Sequence, residues 1–197
     1  REGSVRPRSF GEANAPPFSK QKMEELNMKK ITTRELTIAA VTGGLYVVLS
    51  YFANIFGLTF GPIQCRFSEA LTVLPFLCPA TAWGLFAGCV ITNILSPYGL
   101  LDLVVGSLAT LIAGLLTARC RSKWMAPLPP VLLNGVLVGA VITIQEVPFG
   151  APAFWGTYAY NGGTVAIGEL LVCYILGMVL LEALSRSKVI PQRTLTR

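Results

Sequence analysis

Thirty consecutive residues, from Leu36 to Cys65, carry no charge, and a second uncharged run, Ala70 to Leu101, is longer still. A spanning helix needs about 20 apolar residues to cross a hydrocarbon layer of about 30 Å. The stretch "LTIAAVTGGLYVVLSYFANIFGLTF" (Leu36 to Phe60) exceeds that length, so the spacing of charge alone predicts a first membrane helix. The second run is too long for one crossing and contains Pro75 and Pro79, each of which lacks a backbone donor and clashes with the preceding turn. It is predicted to divide into a short helix over about Phe67–Cys78 and another over about Pro79–Leu95, with Pro79 at the first helical position. Further helices are predicted over about Leu100–Ala118, Pro127–Ile144 and Thr164–Leu184. The intervening "QEVPFGAPAFWGTYAYNGG" (Gln145 to Gly163) reads as a loop rich in Gly, Pro and aromatics.

Composition agrees with this pattern, because 53% hydrophobic and 13% charged residues leave too little polar surface to cover a water-soluble domain. Fifteen of the sixteen basic residues fall ahead of Glu35, in "ARCRSK" (Ala118 to Lys123) or after Ala183, and Arg66 is the exception. Six crossings put these three places on one face, which the positive-inside rule makes cytoplasmic. Merging the second and third helices would put the basic loop and the tail on opposite faces. The expected architecture is an all-α integral membrane protein with six transmembrane helices and both termini cytoplasmic. Its membrane domain covers residues 28–185, after a disordered leader over 1–27 and before a basic tail over 186–197. The net charge of +6 thus belongs to tails and one loop, which argues against a nucleic-acid-binding stripe and for a lipid bilayer as the surrounding phase.

The chain has no histidine, which removes the commonest general base and the commonest zinc or haem ligand. Its five cysteines form no CxxC pair and lie mostly in apolar segments, where a thiol behaves as a small hydrophobe. No metal and no cofactor is predicted, and a non-enzymatic role is.

Apart from the tails and the cytoplasmic ends, the membrane part keeps Arg66, Glu69, Asp102, Glu146 and Glu169. At about 1.5 Å per helical residue, Asp102 lies roughly 25 Å and Glu169 roughly 22 Å above the cytoplasmic ends of their helices. An ionisable group inside the hydrocarbon layer costs at least a few kcal/mol unless paired or in a wet cavity, so it reads first as functional. Arg66 and Glu69 are also readable as a local pair at a helix start capped by Ser68. The aromatics Tyr98, Phe149, Phe154, Trp155, Tyr158 and Tyr160 fall at the same end. They suit an interfacial belt, and equally a pocket for a planar, hydrogen-bonding heterocycle, with Asn93, Asn134, Gln145 and Asn161 for edge contacts. Four carboxylates against one guanidinium favour a neutral or cationic solute.

Small residues recur at four-residue spacing: Ala39 and Gly43, Ala40 and Gly44, Gly84 and Gly88, Gly135 and Gly139. Such pairs let helices approach closely in lipid. They serve packing within the bundle, and on the first helix the two adjacent pairs make a flat stripe that a partner protein could use.

The strings "MKKITTRELTIAAVTGGLYVVLSY", "GPIQCRFSEALTVLPFLCP", "NILSPYGLLDLVVGSLATLIAGLLT", "APLPPVLLNGVLVGA" and "IGELLVCYILG" resemble the QueT family. These are queuosine-precursor substrate-binding (S) components of energy-coupling factor (ECF) transporters. The resemblance covers about Met28 to Leu184 and is most specific in "IQCRFSEALTVLPF". It implies a six-helix, RibU-like S-component bundle with its pocket near the outer face and no ATP site of its own. Consistently, no GxxxxGK[ST] loop occurs. It also implies a transmembrane coupling subunit and two ATPase subunits as partners, with Ala39, Ala40, Gly43 and Gly44 facing the coupling subunit. The implied cargo is a 7-deazaguanine such as preQ1, preQ0 or queuine. On this reading Glu69 and Glu169 accept hydrogen bonds from the base, Asp102 and Glu146 meet an aminomethyl cation or shape the field, Trp155 and Tyr158 stack, and Arg66 and Asn93 complete the site, while Asp102 is equally readable as a helix-start carboxylate. An S component for another vitamin shares every coarse feature; an intramembrane enzyme or a structural membrane protein remain as further alternatives.

Overall fold

A computed structural model describes residues 32–57 and 65–187. The expected leader over 1–27, most of the tail, and the loop residues 58–64 lie outside the described residues. Among those described, four helices are long and apolar enough to cross a membrane: α1 (Thr33–Ile55), α4 (Gly99–Thr117), α5 (Lys123–Glu146) and α6 (Phe154–Ser187). Two shorter helices lie between the first and second of these, α2 (Phe67–Phe76) and α3 (Thr81–Asn93).

The exposed faces show why the chain belongs in lipid. Leu36, Val41, Leu45, Val48, Phe52 and Ile55 of α1 all stand outward, as do Val104, Leu108, Ile112 and Leu116 of α4 and Ile167, Leu170, Ile175 and Val179 of α6. Threonine, serine, asparagine and carboxylate side chains are buried instead. A water-soluble protein does not expose contiguous apolar surface on that scale, whereas a bilayer is the solvent it fits.

The uncharged run splits where the prolines predict. The backbone turns at Leu77–Ala80 and α3 starts at Thr81, so Pro79 sits in the turn rather than at the first helical position. The α2 segment is a 3-10 helix over ten residues, with Pro75 inside it. Two physical consequences follow from that geometry. A rise of about 2.0 Å per residue stretches the segment to about 20 Å, and three residues per turn stack every third side chain in one row. Arg66, Glu69 and Thr72 form that row, tied by the Glu69 N–H to the Arg66 carbonyl (3.0 Å) and the Thr72 hydroxyl to the Glu69 carbonyl (2.6 Å). The other faces of α2 bury Leu71, Val73 and Leu74 against Tyr46, Leu85, Cys89 and Leu181 from the helices around it.

Backbone-to-backbone contact holds α1 to α3. A Cβ on Gly84 would collide with the Ala39 carbonyl, and one on Gly88 would come within 2.6 Å of the Gly43 carbonyl. A second seam joins α5 to α6, where a Cβ on Gly139 would meet the Gly162 Cα at 2.6 Å. That seam explains a departure from the sequence reading, which ended the loop at Gly163. Residues 154–163 are helical, so α6 runs for 34 residues. The Gly162 position that looks like a breaker in sequence is a place where two helices touch.

Three of the long helices widen into a single π turn, over Asp102–Gly106 in α4, Asn134–Val138 in α5 and Val172–Gly177 in α6. Such turns shift the helical register and are frequent at functional sites. Asp102 and Asn134 open their turns, and Cys173 lies within the third.

Candidate functional site

The polar row of α2 meets these three turns. Glu69 is 2% exposed, and its Oε1 accepts from the Tyr46 hydroxyl of α1 at 2.5 Å. Its Oε2 has no hydrogen-bond partner among the described residues. Arg66, one 3-10 turn earlier, places Nη2 3.7 Å from Asp102 Oδ2 on α4. To the local Arg66–Glu69 neighbourhood considered from sequence the fold adds an ion pair between elements. Ser68 does not cap α2 either, since it accepts from Ser50 of α1 at 2.7 Å.

Asp102 is fully buried and held from several sides. The Ser96 hydroxyl donates to its Oδ2 at 2.6 Å, and the Asn93 amide donates to its backbone carbonyl at 3.1 Å and to Cys89 Sγ at 3.4 Å. Its Oδ1 folds back toward Gly106, where a Cβ would approach it to 2.6 Å. A larger residue at 106 would push the carboxylate out of this notch.

Glu169 lies near the middle of α6 and is 5% exposed. The Asn134 amide of α5 donates to its Oε1 at 2.6 Å, and the Cys173 thiol is 3.5 Å from its Oε2. The same thiol is 3.4 Å from the Glu69 carbonyl and 3.6 Å from the Thr72 hydroxyl, so it joins α2 to α6. One guanidinium and three carboxylates are thus gathered around α2. Four buried acceptor oxygens there, Glu69 Oε2, Asn93 Oδ1, Asp102 Oδ1 and Asn134 Oδ1, have no donor among the described residues. Leaving a buried polar atom unsatisfied costs about 1–3 kcal/mol, so this arrangement suits a ligand rich in N–H donors. Among the described residues, no three Cys, Asp or Glu side chains are placed to hold a metal ion.

Of the side chains expected at the site, Arg66, Glu69, Asn93, Asp102 and Glu169 fall in this cluster, with Asn134. Glu146, Trp155 and Tyr158 do not. Glu146 is exposed at the end of α5, where it accepts from Asn161 at 2.8 Å. Trp155 is 69% exposed and packs edge-on against Phe154 and Tyr158 at 5.4 and 6.3 Å. The Tyr158 hydroxyl donates to the Val136 carbonyl at 3.2 Å. On α6 these two aromatics precede Glu169 by roughly 21 and 16 Å, farther than a single fused bicyclic base reaches. The segment that carries both is helical rather than a loop. The reading from residues missed Tyr46, Ser96 and Cys173. Tyr46 did carry a signal, since a phenol in a charge-free membrane run must find an acceptor.

The small-residue stripe of α1 is divided. Ala39 and Gly43 are buried in the contact with α3, which corrects the expectation that they face a partner protein. Ala40 and Gly44 are exposed, and a Cβ on Gly44 would meet nothing within 4 Å.

The chain is 35% identical over 85 residues to the queuosine precursor transporter QueT of Lactococcus lactis subsp. cremoris (strain MG1363). That alignment covers 43% of this chain and only half the length of the relative. No solved structure matches the chain. The family model for the QueT transporter matches residues 36–186, which is nearly all of the described helices. A multi-pass membrane protein by its helices, the chain belongs to the QueT transporter family.

Proposed function

We propose that this chain binds a queuosine precursor of the 7-deazaguanine class, such as preQ1, preQ0 or queuine, for import across the cell membrane. The supporting observation is the buried acceptor set around α2: Glu69 Oε2, Asn134 Oδ1 and the weakly engaged Oε2 of Glu169. A 7-deazaguanine presents ring N–H and exocyclic NH2 donors on its edges, so its hydrogen-bonding pattern complements a site made mostly of acceptors. Arg66, Asn93 and Asp102 hold the other side of the cluster through the ion pair and the Ser96 contact. In this reading Glu69 and Glu169 contact the base.

Import against a gradient requires an energy source, and the chain has no phosphate-binding GxxxxGK[ST] loop. We assign it the role of an S component, working with an ECF transmembrane coupling subunit and two ATPase subunits. Ala40 and Gly44 are the exposed small residues of α1 that such a coupling subunit would meet. The short α2 and α3 act as a crossing pair, which gives six crossings and brings the termini and the loop around Cys120 to the cytoplasm.

Calorimetry on the purified full chain with preQ1, preQ0, queuine and guanine tests the binding step. Saturable binding of at least one deazaguanine is expected. Binding of none of them overturns the substrate assignment, and failure to co-purify with a coupling subunit overturns the assignment of partners.

A further inference from the structure

A 7-deazaguanine is not made of donors alone. One edge of its six-membered ring sets a keto oxygen, which accepts, beside a ring N–H and an exocyclic NH2, which donate. A buried reader of that edge needs a donor next to an acceptor, whereas the four open oxygens around α2 supply acceptors only. Most donors near them are spent. The Tyr46 hydroxyl is given to Glu69, the Ser96 hydroxyl to Asp102 and the Thr72 hydroxyl to the Glu69 carbonyl, and the Asn93 amide serves both Asp102 and Cys89. Arg66 differs in capacity, because a guanidinium carries five N–H donors in a planar fork and serves several acceptors at once, Asp102 among them.

Position supplies the second half of the match. Arg66 and Glu69 are successive members of the 3-10 row, about 6 Å apart along the axis and on the same side of α2. Their heads are anchored at different points, Glu69 Oε1 by Tyr46 of α1 and Arg66 by Asp102 of α4. The two anchors are themselves joined on α3, where Cys89 meets the Tyr46 hydroxyl and accepts from Asn93, whose amide also reaches the Asp102 carbonyl. One helix thus presents a charged donor beside a carboxylate whose Oε2 has no partner among the described residues, and three other helices brace the pair. The Asn134 amide and the Ser107 hydroxyl also carry donors, but both are neutral and stand on other helices than Glu69.

Resting on the reading above, we propose that Arg66 and Glu69 together read the keto edge of the base, Arg66 donating to the keto oxygen and Glu69 Oε2 accepting from the neighbouring ring N–H. The chain then admits 6-oxo bases and rejects their 6-amino counterparts. Replacing the keto oxygen by an amino group reverses both positions at once. The acceptor becomes a donor facing the guanidinium, and the ring nitrogen loses its hydrogen and becomes an acceptor facing the carboxylate. Size and apolar surface hardly change, so rejection of the amino form comes from polar groups left mismatched in a buried site.

The test is calorimetry on the full chain, in which the tightest-binding of preQ1, preQ0 and queuine is compared with its own 6-amino analogue. The keto compound is expected to bind at least about thirtyfold more tightly, since a charge-assisted hydrogen bond is lost at each of the reversed positions. In Glu69→Gln the side-chain amide can donate to the unprotonated ring nitrogen, so the keto compound weakens, the amino analogue holds or gains, and the ratio falls at least about fivefold. A residue that only supports the fold would lower both affinities together and leave the ratio in place. Arg66→Gln made together with Asp102→Asn removes both charges of the ion pair and should lower the ratio by at least about fivefold as well. A wild-type ratio below the expected one overturns the edge reading and leaves the deazaguanine reading intact. A ratio that holds in Glu69→Gln or in the double variant moves that contact to another residue and overturns its assignment. Binding of none of the three precursors overturns the functional reading and this inference together. The wild-type comparison stands even if the variants fail to fold.

Discussion

The seam between α1 and α3 and the cluster around α2 lie in the same bundle and are built on opposite terms. In the seam, glycine and alanine bring backbone against backbone, with Gly84 under the Ala39 carbonyl and Gly88 under the Gly43 carbonyl. Its buried threonines bond their own helices, Thr42 to the Ile38 carbonyl and Thr92 to the Gly88 carbonyl. Lipid tails are as apolar as leucine, so close approach of this kind is what associates helices in a membrane. Around α2 the same chain buries three carboxylates, two amides and a guanidinium and leaves acceptor oxygens without donors. Such a region weakens the empty protein. The contrast separates what holds the bundle together from what the bundle is for, and it can be broken in either region.

The largest effect is expected at the buried ion pair. Asp102→Asn keeps the shape of the side chain but leaves the Arg66 guanidinium buried opposite a neutral amide. Removing one member of a buried pair destabilises by about 3–5 kcal/mol. A thermal melt of the detergent-solubilised chain should show it as a drop of many degrees. A melt within a degree or two of wild type would mean that water reaches Arg66 freely, and the cluster would no longer be a dry counterpart to the seam.

Next comes the seam. Gly84→Ala forces a methyl group into the Ala39 carbonyl, where only a shift of α1 relieves it. Overpacking of this sort costs about 1–3 kcal/mol. The melting temperature should fall while affinity for a deazaguanine stays within about twofold, because no cluster residue other than Tyr46 lies on α1. A loss of affinity as large as the loss of stability would show that the two regions are coupled through Tyr46.

The two regions also differ in how far sequence announced them. Uncharged length and the positions of Pro75 and Pro79 are local properties, and the long helices and the break before Thr81 follow from them. Gly84 and Gly88, at four-residue spacing, were equally legible as a contact surface. Which small residues of α1 would meet them was not, since Ala39 and Ala40 differ only in the direction that tertiary packing selects. The cluster was legible as an inventory of intramembrane charges but not as a set of pairs. Arg66 forms an ion pair with Asp102 of another helix, a contact that spacing along the chain does not encode, while α2 as a 3-10 helix keeps Arg66 and Glu69 in one row. Neither that geometry nor the π turns at Asp102, Asn134 and Cys173 leave a mark in hydrophobic periodicity. The long loop expected before Thr164 failed for a similar reason. Its Gly, Pro and aromatic content is turn-like on its own, and the contact of Gly162 with Gly135 and Gly139 overrides it.

A smaller effect is expected from Tyr46→Phe, which removes the hydroxyl that donates to Glu69 Oε1 and also meets the Cys89 thiol. The loss amounts to about 1 kcal/mol of stability, the net worth of one buried hydrogen bond. It sharpens the comparison, because Tyr46 sits on the seam helix while its hydroxyl belongs to the cluster. A deazaguanine should restore part of the lost melting temperature, since the ligand supplies donors that the variant lacks. If the variant melts like wild type, the Tyr46 hydroxyl is not holding Glu69 in place.

The smallest effect is expected at Gly44, one position along the helix from the buried Gly43. A Cβ on Gly44 meets no atom within 4 Å, and an alanine there gains helix propensity. Gly44→Ala should therefore change the stability of the isolated chain by less than about 1 kcal/mol, in the stabilising direction. Gly44→Leu should also melt near wild type and bind a deazaguanine normally, while co-purification with a coupling subunit is lost. The adjacent glycine behaves oppositely, because a Cβ on Gly43 would stand 2.6 Å from the Gly84 carbonyl. Two neighbouring glycines of one helix would then report on two different contacts, Gly43 on the bundle itself and Gly44 on the face turned away from it. If Gly44→Leu lowers the melting temperature as far as Gly84→Ala does, the outward face of α1 is already occupied within the chain, and no small-residue surface is left for a partner.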